Sequence, residues 1–414
     1  MSHKIISQDL EEYSTLGKKP EKKLFISLQE YASRLKETRQ LMKSNNIDLL
    51  LVVEYEDIYY LTAHQTVGAP MIELLIIPVN PQEEMYFVTR LLELSNTEYR
   101  SILRKYYSYN DYENEIDLAF EKIMENNSDC QHIGVQSKSK RISYDQLNKL
   151  NNLFLSSNPD CKIVDASELI YQLRIIKSPA EINLIKKAAE FCNAGIVNIQ
   201  NNAKNGMMET EIAGYNYLAM MKLGCEYSAY PTFIASGENT KLGHYTGDQT
   251  TIKNNEILFV ENGGCYQRYH AAMMRTFYIG NELPKELKEI ETAIIEAMDT
   301  ACKIMLPNTC CGDIDTIIRQ ICSKRKEWIC SLRIAYSIGI GFYTDWGEPD
   351  LITIEPNSKK LLQENMVLHL IPWIQIPSRS WEVGLSDTVV ITSTGAKSLF
   401  VDPLPCKIHL ISAE

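Results

Sequence analysis

The chain has 414 residues, 45% of them hydrophobic and 23% charged, with a net charge of −11. That length predicts two domains and a core that needs no disulfide staples, and the acidic balance argues against nucleic-acid backbones and anionic membrane surfaces, which select basic patches. No run of 18 apolar residues occurs, so no membrane span is expected, and the first residues lack the apolar stretch of a signal peptide.

Residues 1–24 are polar and charged and read as a loosely packed arm. "LQEYASRLKETRQLMKSNN" (28–46) places apolar residues at helical spacing. "IDLLLVV" (47–53) is a short apolar run of strand type. "MIELLIIPV" and "EMYFVTR" follow as strands around the Asn80-Pro81 turn. Then come a helix at 111–126, a strand at 132–136, a helix at 144–154 and a strand at 161–167. Strands alternating with helices indicate a layered α/β domain over 1–176.

"LRIIKSPAEINLIKKAAE" opens a second domain, 177–414. Ser178 can cap a helix, Pro179 suits its first turn, and Glu181 lies in that turn. A second helix spans about 208–223. Strands follow at 231–236, 256–263 and 269–280, then helices at 284–305 and 312–327. The chain closes with strands at 366–376 and 383–393. Helices then strands, twice over, predict an α+β domain of two facing halves. Lys-Arg-Lys at 324–326 reads as a solvated helix end. The eleven cysteines are an odd, scattered set without a C-x-x-C pair. Reduced thiols in a cytoplasmic compartment are expected.

These residues resemble a family. "KSPAEI", "ASGENTKLGHY", "ILFVENGG" and "SDTVVIT" are similar to segments of the pita-bread proteins: prolidase, aminopeptidase P and creatinase. The resemblance spans nearly the whole chain. It implies a creatinase-like N-terminal domain and a pita-bread catalytic domain. Metallopeptidases of this fold bind metal through two Asp, one His and two Glu. By the resemblance those positions are Glu261, Ala272, Tyr336, Ile371 and Ser386 here. Alanine and isoleucine offer no donor atom, so a dinuclear site is not expected, nor any other cofactor. Glu261, Gly264, Cys265, Arg268, Tyr269 and His270, with "YSIG" (336–339) and "DWGE" (345–348), resemble the metal-independent, ectoine hydrolase-like branch. Creatinase fits less well. Its hairpin acid is Met274, its later Glu is Ile371, and its creatine-binding Arg is Ala69.

Side chains alternate along a strand, so residues two apart face one way. If Ala272 and Ile371 face the cavity left by the metals, His270 and His369 face it too. Glu261, Tyr336 and, by the resemblance, loop residue His244 complete the candidate catalytic set. Imidazoles that titrate near neutrality can move protons. Glu261 can activate water or orient a His, Tyr336 can steady an oxyanion, and His244 can protonate the leaving nitrogen. Arg268 or Arg275 can fork onto a substrate carboxylate, while Asp345, Trp346 and Glu348 cap the pocket. His64 and Arg90 are weaker candidates, reaching a partner subunit's pocket.

The expected activity is hydrolysis of a C–N bond, amide or cyclic amidine, in a small amino-acid-like substrate without metal. Two alternatives stand beside it. One is an Xaa-Pro-type dipeptidase whose rearranged metal site uses Glu261, His270 and His369. The other is a pita-bread domain that binds without catalysing. The resemblance also implies a homodimer.

Overall fold

The computed structural model describes residues 23–67, 71–228 and 230–413. Most of the polar arm, and Ala69, lie outside the described residues. The chain divides into two compact units, Met1–Arg174 and Ile175–Glu414.

The first unit is built on a six-stranded mixed sheet. Its order is Lys105–Tyr109, Tyr86–Arg90, Leu74–Pro78, Leu49–Val52, His132–Val135, Lys162–Asp165. Leu49–Val52 runs antiparallel to Leu74–Pro78 and parallel to His132–Val135. Its four side chains are all buried, which is why it reads as an uninterrupted apolar run. The expected helix at 28–46 is Leu28–Ser44, started by Ser27, whose hydroxyl accepts from the Glu30 amide. Glu115–Asn127 and Tyr144–Ser157 lay Ile116, Ile123, Leu150 and Phe154 on the sheet's core.

Two elements carry no clear periodicity in the sequence. Helix Tyr55–Thr62 is buried at seven of its eight positions, so no polar stripe marks it. Strand Lys105–Tyr109 sits at the sheet edge, half-exposed on both faces, so nothing alternates. His64 and Arg90 are engaged within this unit. His64 Nε2 lies 3.1 Å from the Glu73 carboxylate, both buried. Arg90 forks onto Asp111 at 2.5 and 2.6 Å.

In the second unit Ser178 and Glu181 form a reciprocal capping box, and Pro179 takes the first turn of Pro179–Asn202. That helix and Glu209–Lys222 pack on a four-stranded sheet ordered His409–Ile411, Tyr269–Ile279, Ile257–Tyr266, Phe233–Ser236. Lys285–Ile304 and Cys311–Cys322 pack on a five-stranded sheet ordered Thr353–Ile354, Ala335–Ser337, Val367–Leu370, Asp387–Thr392, Gly395–Ser398. The helix expected to reach 327 stops at Cys322, and Lys324 and Arg325 beyond it pair with Glu296 and Glu289.

The expected strand 366–376 is two strands. Val367–Leu370 stays in the five-stranded sheet, while Trp373–Ile376 pairs with Trp381–Gly384 in a two-stranded one. Pro372, which cannot donate to a ladder, lies at the break. The segment 383–393 divides likewise, at Leu385-Ser386. At that second break Ser386 bridges to Met274, and the two larger sheets meet.

Candidate functional site

The hairpin Ile257–Tyr266/Tyr269–Ile279 positions the site. Its register sets Glu261 opposite Met274, Gly263 opposite Ala272 and Cys265 opposite His270. Directly opposed residues share a face, so these six side-chain positions look one way. The intervening Asn262 and Gly264 look to the helices. The Asn262 amide donates to the Cys192 carbonyl, and a Cβ at Gly264 would meet the Ala188 carbonyl at 2.2 Å.

On the opposite wall Tyr336 pairs in register with His369, and His369 with Thr388. Tyr336 Oη lies 3.0 Å from His369 Nδ1 and accepts a hydrogen bond from Trp346 Nε1 at 2.9 Å. His369 Nε2 lies 2.7 Å from Ser386 Oγ, which accepts from the Met274 amide at 2.7 Å. Glu261 Oε1 stands 4.0 Å from His369 Nδ1, with both side chains almost fully buried.

Burial sets the electrostatics. It raises the Glu261 carboxyl from 4.5 to about 8 and lowers the His369 imidazole from 6.5 to about 3. In each case the cause is loss of water around the charged form. Desolvation also raises the Tyr336 phenol, with a further push from Glu261. At neutral pH the cluster is therefore largely uncharged: a carboxylic acid, a neutral imidazole and a phenol.

An aromatic wall adjoins this cluster. Trp346 meets Tyr230 at 4.8 Å and Phe233 at 5.7 Å between ring centroids, in edge-on geometry. His244 lies 5.0 Å from Phe233 and stacks with Tyr230 at 6.5 Å. It is exposed, and its backbone is in the left-handed region at φ 56. An ordinary L-residue adopts that conformation only where its surroundings impose it.

Trp346 reaches Tyr336 because two glycines leave room. A Cβ at Gly263 would stand 2.3 Å from Trp346 Cε3, and one at Gly347 would stand 2.7 Å from Tyr336 Cε2. Gly263→Ala is therefore expected to displace the indole, break its bond to Tyr336 and lower activity at least tenfold. A change in tryptophan emission against wild type, absent in a Trp346→Phe background, would report the displacement. Unchanged fluorescence and rate would show that the indole is not displaced and would overturn the prediction.

The remaining candidates lie elsewhere. His270 faces the same way as Ala272 but sits nearer the hairpin tip, against Tyr227 at 6.2 Å. Its ring is fully buried and neither nitrogen has a hydrogen-bond partner among the described residues. Burial, and the positive charge of Arg268, lower it to about 3. Arg268 gives its Nη2 to Glu226 at the hairpin turn. With Gln267 it forms the hairpin turn, both at positive φ. The Glu226 carboxylate clamps this turn, accepting from Gln267 N and Nε2 and from Arg268 Nη2 at 2.7 Å.

Arg275 is also spent. Its donors reach the carbonyls of Met274, Ser386 and Leu404 and, at 2.9 Å, the Asp387 carboxylate. All five guanidinium hydrogens are thereby used, leaving none for a substrate carboxylate. Glu348 is drawn inward to Lys177 at 2.6 Å, and Asp345 is exposed, accepting from the Gly347 amide. Of the pocket-capping trio, Trp346 joins the cluster directly and Asp345 bears on it through Tyr230. Ser386, Phe233, Tyr230 and Lys177 were not foreseen as site residues. Ser386 falls on a ligand position of the resembled fold, the one signal that could have found it.

The fold family implies a metal centre, and the residues present do not fit one. Of the five ligand positions Glu261 alone carries a carboxylate. Ser386 Oγ is committed to His369 and the Met274 amide. Among the described residues no group of three or more His, Cys, Asp or Glu could hold a metal ion. The trio Glu261, His270 and His369 is thus not assembled as a ligand set.

Comparison with known proteins agrees with this architecture. A model of the Creatinase/Prolidase N-terminal domain matches residues 34–176, and one of Metallopeptidase family M24 matches 183–393, just over half the chain. The chain is 24% identical to the ectoine hydrolase of Halomonas elongata over 391 residues, 90% of this chain and 95% of the relative. It is 25% identical to an Xaa-Pro dipeptidase of Pyrococcus horikoshii, over 88% of this chain and 96% of the relative. Among solved structures, the Thermococcus sibiricus prolidase superposes with a TM-score of 0.78 at 21% identity, covering 92% of this chain and 99% of that one. The prolidase of Pyrococcus horikoshii gives 0.76 at 21% identity, covering 90% and 99%.

Proposed function

The chain belongs to metallopeptidase family M24, and from that premise we propose that it hydrolyses a C–N bond, amide or cyclic amidine, in a small amino-acid-like substrate without a divalent metal. One observation carries the reading. Where the family's metal ligands are expected, Glu261, Tyr336 and His369 form a buried cluster with Trp346 and Ser386. Relatives named as ectoine hydrolase and Xaa-Pro dipeptidase both support hydrolysis as the reaction class.

The chemistry follows from the geometry. Glu261 in its ionised form takes the proton of an attacking water. Its raised pKa makes the carboxylate a stronger base than an exposed one. The Tyr336 hydroxyl, polarised by the Trp346 N–H, donates to the oxygen or nitrogen on which negative charge gathers. His244, at the exposed rim beside Phe233, delivers the proton that the leaving nitrogen needs. His369 is held neutral, and it orients Tyr336 rather than exchanging protons itself. The aromatic wall Tyr230–Phe233–Trp346 shapes the pocket and excludes water.

Glu261 must ionise to act, so kcat/KM is expected to rise as the pH increases through about 8. His244→Ala is expected to lower kcat about a hundredfold for poor leaving groups and far less for good ones. A flat leaving-group series would remove His244 from the reaction. We place the protein in the cytoplasm, as a homodimer. Its eleven cysteines are all free, and no described helix is long and apolar enough to cross a membrane.

The deciding experiment uses protein purified without added metal, its metal content measured by plasma mass spectrometry. Panels of N-acyl amino acids, Xaa-Pro dipeptides and cyclic amidines are then followed by mass spectrometry, with and without EDTA. Turnover indifferent to EDTA is the expected result. About one metal per chain, with activity lost on chelation, would put the dipeptidase reading first. Peptide binding without turnover of any panel member would favour a non-enzymatic binder.

A further inference from the structure

Counting hydrogens around His369 reaches further than the reaction class. Two donors in the chain are fixed, because neither can accept: the Met274 amide and Trp346 Nε1. Ser386 Oγ must accept from the first, at 2.7 Å, and Tyr336 Oη from the second, at 2.9 Å. Between them lies the His369 ring, with Nε2 at 2.7 Å from Ser386 Oγ and Nδ1 at 3.0 Å from Tyr336 Oη. The neutral ring carries one hydrogen, on one nitrogen or the other.

Suppose that hydrogen is on Nε2. It then points at Ser386 Oγ, which already accepts from Met274. The Ser386 hydroxyl hydrogen must go elsewhere, yet Ser386 is fully buried and its hydroxyl forms no other hydrogen bond among the described residues. The Tyr336 hydroxyl hydrogen is consumed by Nδ1, and nothing is offered to the pocket. Suppose instead that it is on Nδ1. Ser386 donates to Nε2, and Nδ1 donates to Tyr336 Oη. Tyr336 then accepts twice and turns its own hydrogen into the pocket on the Glu261 side. The one hydrogen left over now belongs to the half-buried Tyr336, on whose phenol the Glu261 carboxyl bears, so it can turn to that carboxyl or to a substrate atom beside it. Orphaning a fully buried hydroxyl is the costlier arrangement.

We infer that Ser386 is a positioning residue that fixes His369 as the Nδ1–H tautomer, and that this one-way chain, Met274 N–H to Ser386 to His369 to Tyr336, aims the Tyr336 hydroxyl at the reacting atom. The site thus takes a substrate that develops negative charge on a carbonyl oxygen or amidine nitrogen facing Tyr336. A phenol accepting two hydrogen bonds is also a better donor, since each bond accepted polarises its O–H. The tautomer rests on the hydrogen count alone. Its kinetic consequence rests on the hydrolase reading above.

Nitrogen-15 NMR of protein labelled in its seven histidine rings separates the two, with His369 assigned by the loss of its signals in His369→Gln. Coupling patterns showing a protonated Nδ1 and a bare Nε2 at pH 7 are expected. A protonated Nε2 overturns the inference, whatever the enzyme does to a substrate. Ser386→Ala is expected to move the ring to the Nε2–H form and to lower kcat at least thirtyfold with KM nearly unchanged. Ser386→Thr, which keeps the hydroxyl, is expected to retain the Nδ1–H signature. An Nδ1–H ring in folded Ser386→Ala would remove Ser386 from the relay and overturn its role. Correct tautomers without any turnover would leave the relay standing and count against the hydrolase reading alone.

Discussion

Glu261→Gln is expected to slow turnover by a factor of about a hundred to ten thousand and, at pH 9, to make the protein more stable. Both effects come from one fact. The carboxyl is almost fully buried, with His369 Nδ1 at 4.0 Å, and burial raises it from 4.5 to about 8. A carboxyl whose pKa is higher in the folded state binds its proton more tightly there than in the unfolded chain. Its contribution to stability is complete below pH 4.5 and is lost as the pH rises through about 8. At roughly 1.4 kcal/mol per pKa unit, the ionised residue costs on the order of 5 kcal/mol at pH 9. Glutamine has the shape without the charge, so it escapes that cost. Melting curves of both proteins at pH 5, 7 and 9 should diverge progressively toward high pH. A Glu261→Gln protein less stable than wild type at pH 9 would mean the carboxylate is a structural ion. Unchanged turnover would remove it from the chemistry.

The two buried histidines give the opposite slope. His270 and His369 are lowered from 6.5 to about 3. Their stability contribution is complete above pH 6.5 and is lost as the pH falls toward 3. Glu56, raised by burial from 4.5 to about 7, runs with Glu261 and offsets the two histidines, so these four groups together leave stability nearly level between about pH 4.5 and 6.5 and lower it above that.

Lys177→Met is expected to cost about 3–5 kcal/mol of stability and to reduce turnover with it. Lys177 Nζ and Glu348 Oε2 are 2.6 Å apart, and both side chains are almost wholly buried. Ser337 and Glu348 are joined again through the backbone, Glu348 N–H to the Ser337 carbonyl at 2.7 Å. This pair pins the loop whose Trp346 supports Tyr336. Removing the lysine leaves a carboxylate without its counter-ion in a dry place, which is far costlier than the pair's net contribution. The double variant Lys177→Met/Glu348→Leu should therefore recover most of the stability lost in the single one. Urea unfolding of the three proteins measures it. A single variant within about 1 kcal/mol of wild type would show that the loop is held by its other contacts.

Much of this architecture was legible in the chain. The fully apolar run at 49–52 and the Ser178-Pro179-x-Glu181 start are local signals, written in consecutive residues. The facing of Glu261, Tyr336 and His369 follows from strand alternation combined with family resemblance. That combination is strong because a one-residue slip would turn every side chain to the other face. It reached its limit at His270. Alternation gives His270 the right face, but not its depth along the hairpin, which depends on where the opposite wall ends.

Partners are a different matter. Arg275, Arg268 and Glu348 each looked available for substrate. Each is taken, by the Asp387 carboxylate and three carbonyls, by Glu226 and by Lys177. The charged partners stand between 42 and 171 positions away in the chain, so no window of sequence could name them. Ser386 illustrates the same limit. As a letter in "GLSDTV" it is the loss of a ligand, and only the meeting of two sheets at Met274 makes it the second member of a hydrogen-bond chain. The sequence by itself determined the family, through the resemblance of its motifs, and the hairpin and which residues could share a face, through short-range periodicity. The tertiary structure alone decided which charges neutralise one another and which hydroxyl keeps a free hydrogen. Desolvation and hydrogen-bond saturation are settled by whatever is packed against a group, not by what precedes it in the chain.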